Sequence, residues 1–83
     1  MRFNELTYLH TEEFEDIVEI KFTGNFDTGG HDLTVEIWVQ DNNIDVVIMD
    51  NYINEIIHVT DEEEDFTLNF AMENNYYKKR GGQ

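Results

Sequence analysis

The sequence predicts a mainly β fold, a small antiparallel sheet or meander of about five strands with at most one short helix. Several stretches alternate apolar and polar residues, which is the pattern of a half-buried strand. Asn- and Asp-rich pairs separate these stretches, as expected for tight turns. The hydrophobic fraction of 40% and the aromatic fraction of 13% fit a folded core. At 83 residues the chain is one domain, which we place at 1–77, followed by a basic flexible tail at 78–83.

The clearest strand covers residues 32–40, and its alternation makes one face apolar and the other mainly polar. Asp41, Asn42 and Asn43 then predict a turn, because Asn and Asp tolerate left-handed backbone angles. Residues 44–49 form the returning strand, and 52–60 form a third strand after a second turn at 50–51. One face of the first strand carries Leu33, Val35, Ile37 and Val39, and the other carries Thr34, Glu36, Trp38 and Gln40.

The flanking segments carry less regular signals. Residues 66–72 alternate and predict another strand, and residues 2–9 predict a weaker one. Residues 11–22 fit a short helical turn near 11–15 followed by a strand, with a helix over about 11–21 as the alternative. Residues 24–31 contain three of the five glycines and predict a flexible loop.

The charge of the chain is concentrated in its body. Residues 3–77 hold all 19 acidic residues and one basic residue, Lys21, which gives a formal charge of −18 against −14 for the whole chain. Such a field repels nucleic acid and anionic lipid, so we expect no direct binding to either. No apolar run approaches the length needed to span a membrane, and the first residues do not resemble a signal peptide.

Catalytic and metal-binding motifs are lacking in the sequence. There is no serine or cysteine, so the two commonest nucleophiles are missing. The three histidines have no usual metal spacing, and the acidic run at 61–65 lacks the glycine and the final glutamate of a calcium loop. We therefore expect a protein that is not an enzyme and that uses no cofactor and no metal.

Acidic residues on strand faces are the candidate partner-binding groups. Glu19, Glu36 and Asp45 would present spaced carboxylates on a rigid platform, comparable to a row of phosphates. Trp38 lies on the same polar face, where it is either an anchor for a partner or part of a strand buried on both sides. The densest acidic run is predicted as a loop or a single helical turn, and it consists of Asp61, Glu62, Glu63, Glu64 and Asp65.

In size and charge the chain resembles phage-encoded acidic inhibitors of bacterial defence, the anti-CRISPR and anti-restriction proteins and other DNA mimics. The body acids carry this resemblance, especially those at 12–16 and 61–65. It implies competitive binding to a basic nucleic-acid-binding protein, a nuclease or effector complex, in the cytoplasm of a bacterial host. An immunity protein against a nuclease toxin would have the same surface. A different alternative is a modifier, because Gly81, Gly82 and Gln83 resemble the ending of ubiquitin-like and prokaryotic ubiquitin-like proteins.

Overall fold

The computed structural model describes residues 2–27, 32–41 and 43–76. Within these ranges, five strands form one antiparallel sheet whose spatial order is the chain order, and a single helix follows them. This arrangement confirms the predicted mainly β meander with one short helix. The predicted tail at 78–83 and the second half of the predicted loop, residues 28–31, lie outside the described residues. The elements are β1 Thr7–Glu13, β2 Val18–Asn25, β3 Asp32–Gln40, β4 Asn43–Asp50, β5 Glu55–Ile57 and α1 Asp61–Glu73.

The register of the central strands places the apolar positions on one face of the sheet. Val35 of β3 lies between Phe22 of β2 and Ile48 of β4, and Ile37 lies between Ile20 and Val46. We call this side the inner face. Because successive side chains point to opposite faces, the alternation read from the sequence becomes one continuous apolar layer. Its buried members are Ile20, Phe22, Leu33, Val35, Ile37, Val46 and Ile48.

Helix α1 covers the inner face. Ala71 is fully buried against the sheet, and Phe70 contacts Phe22 edge to face with ring centroids 5.7 Å apart. Near the start of the helix, Phe66 packs against Phe3 in the same manner at 5.9 Å. Beyond its end, Tyr76 stacks on Tyr8 of β1 at 4.2 Å. The helix therefore adds a second layer to the core, with aromatic contacts along its length.

The prediction of a strand at 66–72 is wrong, because this segment belongs to α1. Thr60 caps the helix with a reciprocal pair of hydrogen bonds: its hydroxyl accepts from the Glu63 N–H, and the Glu63 carboxylate accepts from the Thr60 N–H. This capping box satisfies backbone donors that would otherwise be unpaired at the helix start. The acidic run at 61–65, predicted as a loop or a single turn, forms the first five residues of a 13-residue helix.

The first strand lies later in the chain than predicted, at Thr7–Glu13 and not at 2–9. Neither the helical turn near 11–15 nor the alternative helix over 11–21 is present. Thr11 instead pairs with Ile20 and Glu13 with Val18, and the Phe14 N–H donates to the Ile17 carbonyl to close a tight turn between β1 and β2. The β-branched residues of β2 favour the extended backbone that this pairing requires.

The turn between β3 and β4 follows the predicted chemistry, and a further turn with a left-handed residue lies inside the segment predicted as the third strand. Asp41, between β3 and β4, has a φ of 52°, and Asn54, before β5, has a φ of 57°. Both residue types tolerate this left-handed region. The third predicted strand, 52–60, is reduced to the three residues of β5, because residues 51–54 form the turn after β4.

The N-terminal segment before β1 lies against the sheet and buries Phe3 and Leu6. It approaches β2 so closely that a Cβ added at Gly24 would lie 2.8 Å from the Glu5 carbonyl oxygen. A backbone hydrogen bond from the Asp27 N–H to the Arg2 carbonyl fixes the start of this segment. Glycine at position 24 is thus required by the close approach of two backbones.

Candidate protein-binding surface

The side of the sheet opposite α1 carries no packed element among the described residues, and we call it the open face. Successive side chains of β2, β3 and β4 point to opposite faces of the sheet. One set is buried under the helix, and the other set forms the open face. The open face has an acidic part, one aromatic side chain and an apolar part. The acidic part consists of Glu12, Glu19, Glu36 and Asp45, with Lys21 among them. The aromatic side chain is Trp38, and the apolar part consists of Val47, Met49 and Ile56.

A row of side chains runs across four strands of the open face. Glu12 pairs with Glu19, Glu19 with Trp38, and Trp38 with Asp45. Neighbouring strands are about 4.8 Å apart, so the row spans roughly 14 Å. Glu36 lies next to this row on β3, two residues before Trp38. The structure therefore brings the predicted residues Glu19, Glu36, Trp38 and Asp45 together on one surface.

Lys21 lies within this acidic group. Its ammonium is 3.3 Å from Glu12 and 3.8 Å from Glu19. The hydrogen bond to Glu12 raises the pKa of Lys21, and hydrogen bonds from His10 and then Lys21 lower the pKa of Glu12. Both groups are therefore charged at neutral pH. Four carboxylates and one ammonium leave the open face negative.

Trp38 is held in one orientation at the centre of the row. Its indole Nε1 donates to the Glu36 carboxylate at 2.9 Å, and the side chain is 36% exposed. A residue directly opposite on a neighbouring strand has its Cβ about 4.5–5.5 Å away, so the Glu19 and Asp45 side chains start from positions that flank Trp38. Of the two interpretations of Trp38, the structure excludes burial on both faces.

An apolar stripe adjoins the acidic row toward the β5 edge. Met49 pairs with Ile56 across β4 and β5, and Val47 lies two residues before Met49. Ile56 is 67% exposed, an unusually large apolar exposure for a strand residue. The exposed side chains of Tyr52 and Ile53 continue the apolar surface around the preceding turn. Half-buried Val47 and Met49 and exposed Ile56 thus give this part of the open face an apolar character, and exposed apolar groups of this kind are typical of interaction sites.

The second group of predicted acids lies elsewhere. Asp61, Glu62, Glu64 and Asp65 are exposed at the N-terminal end of α1, on the helix side of the molecule. Acidic residues are favourable there because the helix macrodipole is positive at its N-terminus. The predicted partner-binding acids therefore lie on two separate surfaces of the fold.

Glu63 departs from its neighbours, and its prediction as a partner-binding residue does not fit its position. Its side chain is fully buried. Arg2 donates to it from Nε at 2.9 Å, from Nη2 at 2.6 Å and from its backbone N–H at 3.0 Å. These bonds, together with the Thr60 N–H, lower the pKa of Glu63 to about 2. Glu63 is thus part of the framework that joins the N-terminal segment to α1.

Two further observations bear on the chemistry of the described part of the chain. No group of three or more His, Asp or Glu side chains among the described residues is arranged to hold a metal ion. No helix among them is long and apolar enough to cross a membrane.

No family model, curated protein or solved structure matches the chain.

Sequence reasoning missed two parts of this surface. Glu12 was not assigned to the polar face, because residues 11–15 were predicted as a helical turn, whereas Glu12 belongs to β1 and pairs with Glu19. The apolar stripe was missed because Met49 and Ile56 read as ordinary core residues of their strands. The signal that identifies the stripe is the run Val46, Val47, Ile48 and Met49, whose consecutive apolar residues place side chains on both faces of β4.

Proposed function

We propose that this chain is a non-enzymatic inhibitor that places its carboxylates in the basic nucleic-acid-binding groove of a nuclease or another defence protein, as a mimic of nucleic acid. The observation that carries the proposal is the open face, where Glu12, Glu19, Glu36 and Asp45 are held on hydrogen-bonded strands of a body with charge −18. The site of action would be the cytoplasm of a bacterial host.

Rigidity favours this function. The backbone positions that carry these carboxylates are fixed by strand pairing, so binding costs less ordering of the chain than a flexible acidic tail would require. The long-range field of the body would also steer the protein toward a basic groove, with an association rate that falls as salt rises. Both features suit competition with a phosphate backbone.

The test is affinity capture from a bacterial lysate, followed by competition. The protein should retain a basic nuclease or effector at low salt, lose it at high salt, and release it when DNA is added. A captured protein that DNA does not displace would refute the mimic.

Matched variants locate the binding surface. Neutralising Glu36 and Asp45 to Gln and Asn should weaken inhibition of the captured enzyme. The same chemical change at Glu5 and Glu73, which are exposed and outside the open face, removes equal charge and should have a smaller effect. Equal effects of the two pairs would mean that net charge, and not the open face, determines binding.

A further inference from the structure

The open face combines features that a purely electrostatic mimic of phosphates does not need. Trp38 is hydrogen-bonded to Glu36 and has an acidic residue opposite it on each neighbouring strand, and an apolar stripe runs from Val47, beside Glu36, to the exposed Ile56. We infer that Trp38 and the carboxylates around it form a binding site for an arginine side chain of the partner protein, with the stripe taking an apolar side chain next to that arginine. The inference rests on the proposed function, since it names the chemistry by which the same surface meets its partner.

The geometry around Trp38 fits a guanidinium. Glu19 and Asp45 lie directly opposite Trp38 on the two neighbouring strands, and Glu36 fixes the indole through Nε1. A cation over the ring would gain from the ring quadrupole and from the carboxylates on both sides. Arginine suits this site better than lysine, because its planar group stacks on an aromatic face while its fork of donors reaches carboxylates.

The apolar stripe supplies the second contact. Val47, Met49 and Ile56 extend from the acidic row to the edge of the sheet, and Ile56 is 67% exposed. Interfaces combine a few buried anchors with a polar rim, and Trp and Arg are prominent among such anchors. The surface therefore fits an arginine with an apolar neighbour.

Charge complementarity identifies the occupant as a basic protein. A second copy of the chain would bring another negative open face against the first, and residues 3–77 offer Lys21 as their one basic residue. Nucleic acid is repelled by the same carboxylates. A segment of a basic protein meets all three requirements of the face: cations for the row, a planar group for the ring and an apolar side chain for the stripe.

Three short peptides of equal length and equal positive charge test the inference: arginine alternating with glycine, lysine alternating with glycine, and arginine alternating with leucine. Their binding is followed by the fluorescence of Trp38, the one tryptophan of the chain, and by anisotropy of labelled peptides. We expect the arginine–glycine peptide to bind about twofold to fivefold tighter than the lysine–glycine peptide. The arginine–leucine peptide should bind about fivefold tighter again.

Substitutions assign these preferences to the two parts of the face. Trp38→Leu should remove the preference for arginine over lysine, and Trp38→Phe should retain part of it, since a ring remains. Ile56→Thr should remove the gain from leucine. Phe14→Leu and Leu9→Thr make similar changes at exposed positions away from the ring and the stripe and should leave both preferences unchanged.

The outcomes separate this inference from the proposed function. Equal binding of all three peptides, with a loss on neutralising Glu36 and Asp45, would overturn the arginine site while leaving the electrostatic mimic intact. An arginine preference that survives in a folded Trp38→Leu variant would also overturn it. If no peptide binds even at about 0.01 M salt, where the Debye length is about 30 Å, both proposals fail.

Discussion

Replacing Arg2 with alanine would leave the buried carboxylate of Glu63 without its counter-charge. The substitution removes the bonds from Nε at 2.9 Å and from Nη2 at 2.6 Å, together with the Nη2 bond to the His58 carbonyl. The backbone N–H groups of residue 2 and of Thr60 would continue to donate to Glu63. The carboxylate would thus keep two neutral donors and lose its charged ones.

The size of the effect follows from burial. Breaking a fully buried ion pair costs about 3–5 kcal/mol, because one charge remains unpaired. Here Glu63 is fully buried but Arg2 is 40% exposed, so water would enter the vacated site. We therefore expect a loss of about 2–3 kcal/mol in the free energy of unfolding. For a domain of this size that lowers Tm by about 10–20 °C.

Thermal and urea unfolding followed by circular dichroism measures this loss. A matched control is Glu62→Gln, which changes an exposed acid of the same helix turn and should alter stability by less than about 0.5 kcal/mol. In the Arg2→Ala background, Glu63→Gln should restore about 1 kcal/mol, because a neutral amide needs no counter-charge. A loss below about 0.5 kcal/mol for Arg2→Ala, or additive losses in the double variant, would refute the role given to this pair.

Three further predictions concern the framework. The folded pKa of Glu63, about 2 against an ordinary 4.5, contributes stability that is present above pH 4.5 and is lost as pH falls toward 2. The stability difference between the native chain and Glu63→Gln, about 1–2 kcal/mol at neutral pH, should therefore shrink over that window in unfolding curves. A stability difference that stays constant between pH 4.5 and pH 2 would contradict the lowered pKa of Glu63. Thr60→Ala should cost about 1 kcal/mol and lower helical ellipticity, whereas Thr60→Ser, which retains the capping hydroxyl, should not. Gly24→Ala should cost about 1–3 kcal/mol in chemical unfolding, because its Cβ would meet a backbone carbonyl at 2.8 Å; an unchanged midpoint would mean that the N-terminal segment moves aside freely.

The central strands could be predicted because a single periodicity determines both their extent and their faces. Glu36 and Trp38 lie two residues apart on β3, so their shared face follows from the alternation alone. The turn at 41–43 then fixes the pairing of β3 with β4, which brings Asp45 opposite Trp38. Local chemistry was sufficient here because the partners are close in sequence.

The helix was missed because its buried stripe is partly polar. Its inward positions are Glu63, Phe66, Thr67, Phe70 and Ala71, which have helical spacing but not uniform apolar character. Phe66, Leu68, Phe70 and Met72 also alternate, so a strand fitted the apolar residues equally well. The decisive local signal was the Thr60–Glu63 capping box. The Arg2–Glu63 bond, which joins residues 61 apart, has no local signature.

The order of the sheet has a consequence for the path of folding. Because β1 to β5 are neighbours in both sequence and space, every strand pair can form by closing a short loop. The docking of α1 with residues 2 and 3 instead requires contacts across most of the described chain. We expect the hairpins to form in the transition state and the helix to dock afterwards, so that substitutions at Arg2 or Phe66 mainly accelerate unfolding. The lifetime of the folded protein would then depend on the helix that closes the inner face, while the open face is assembled early.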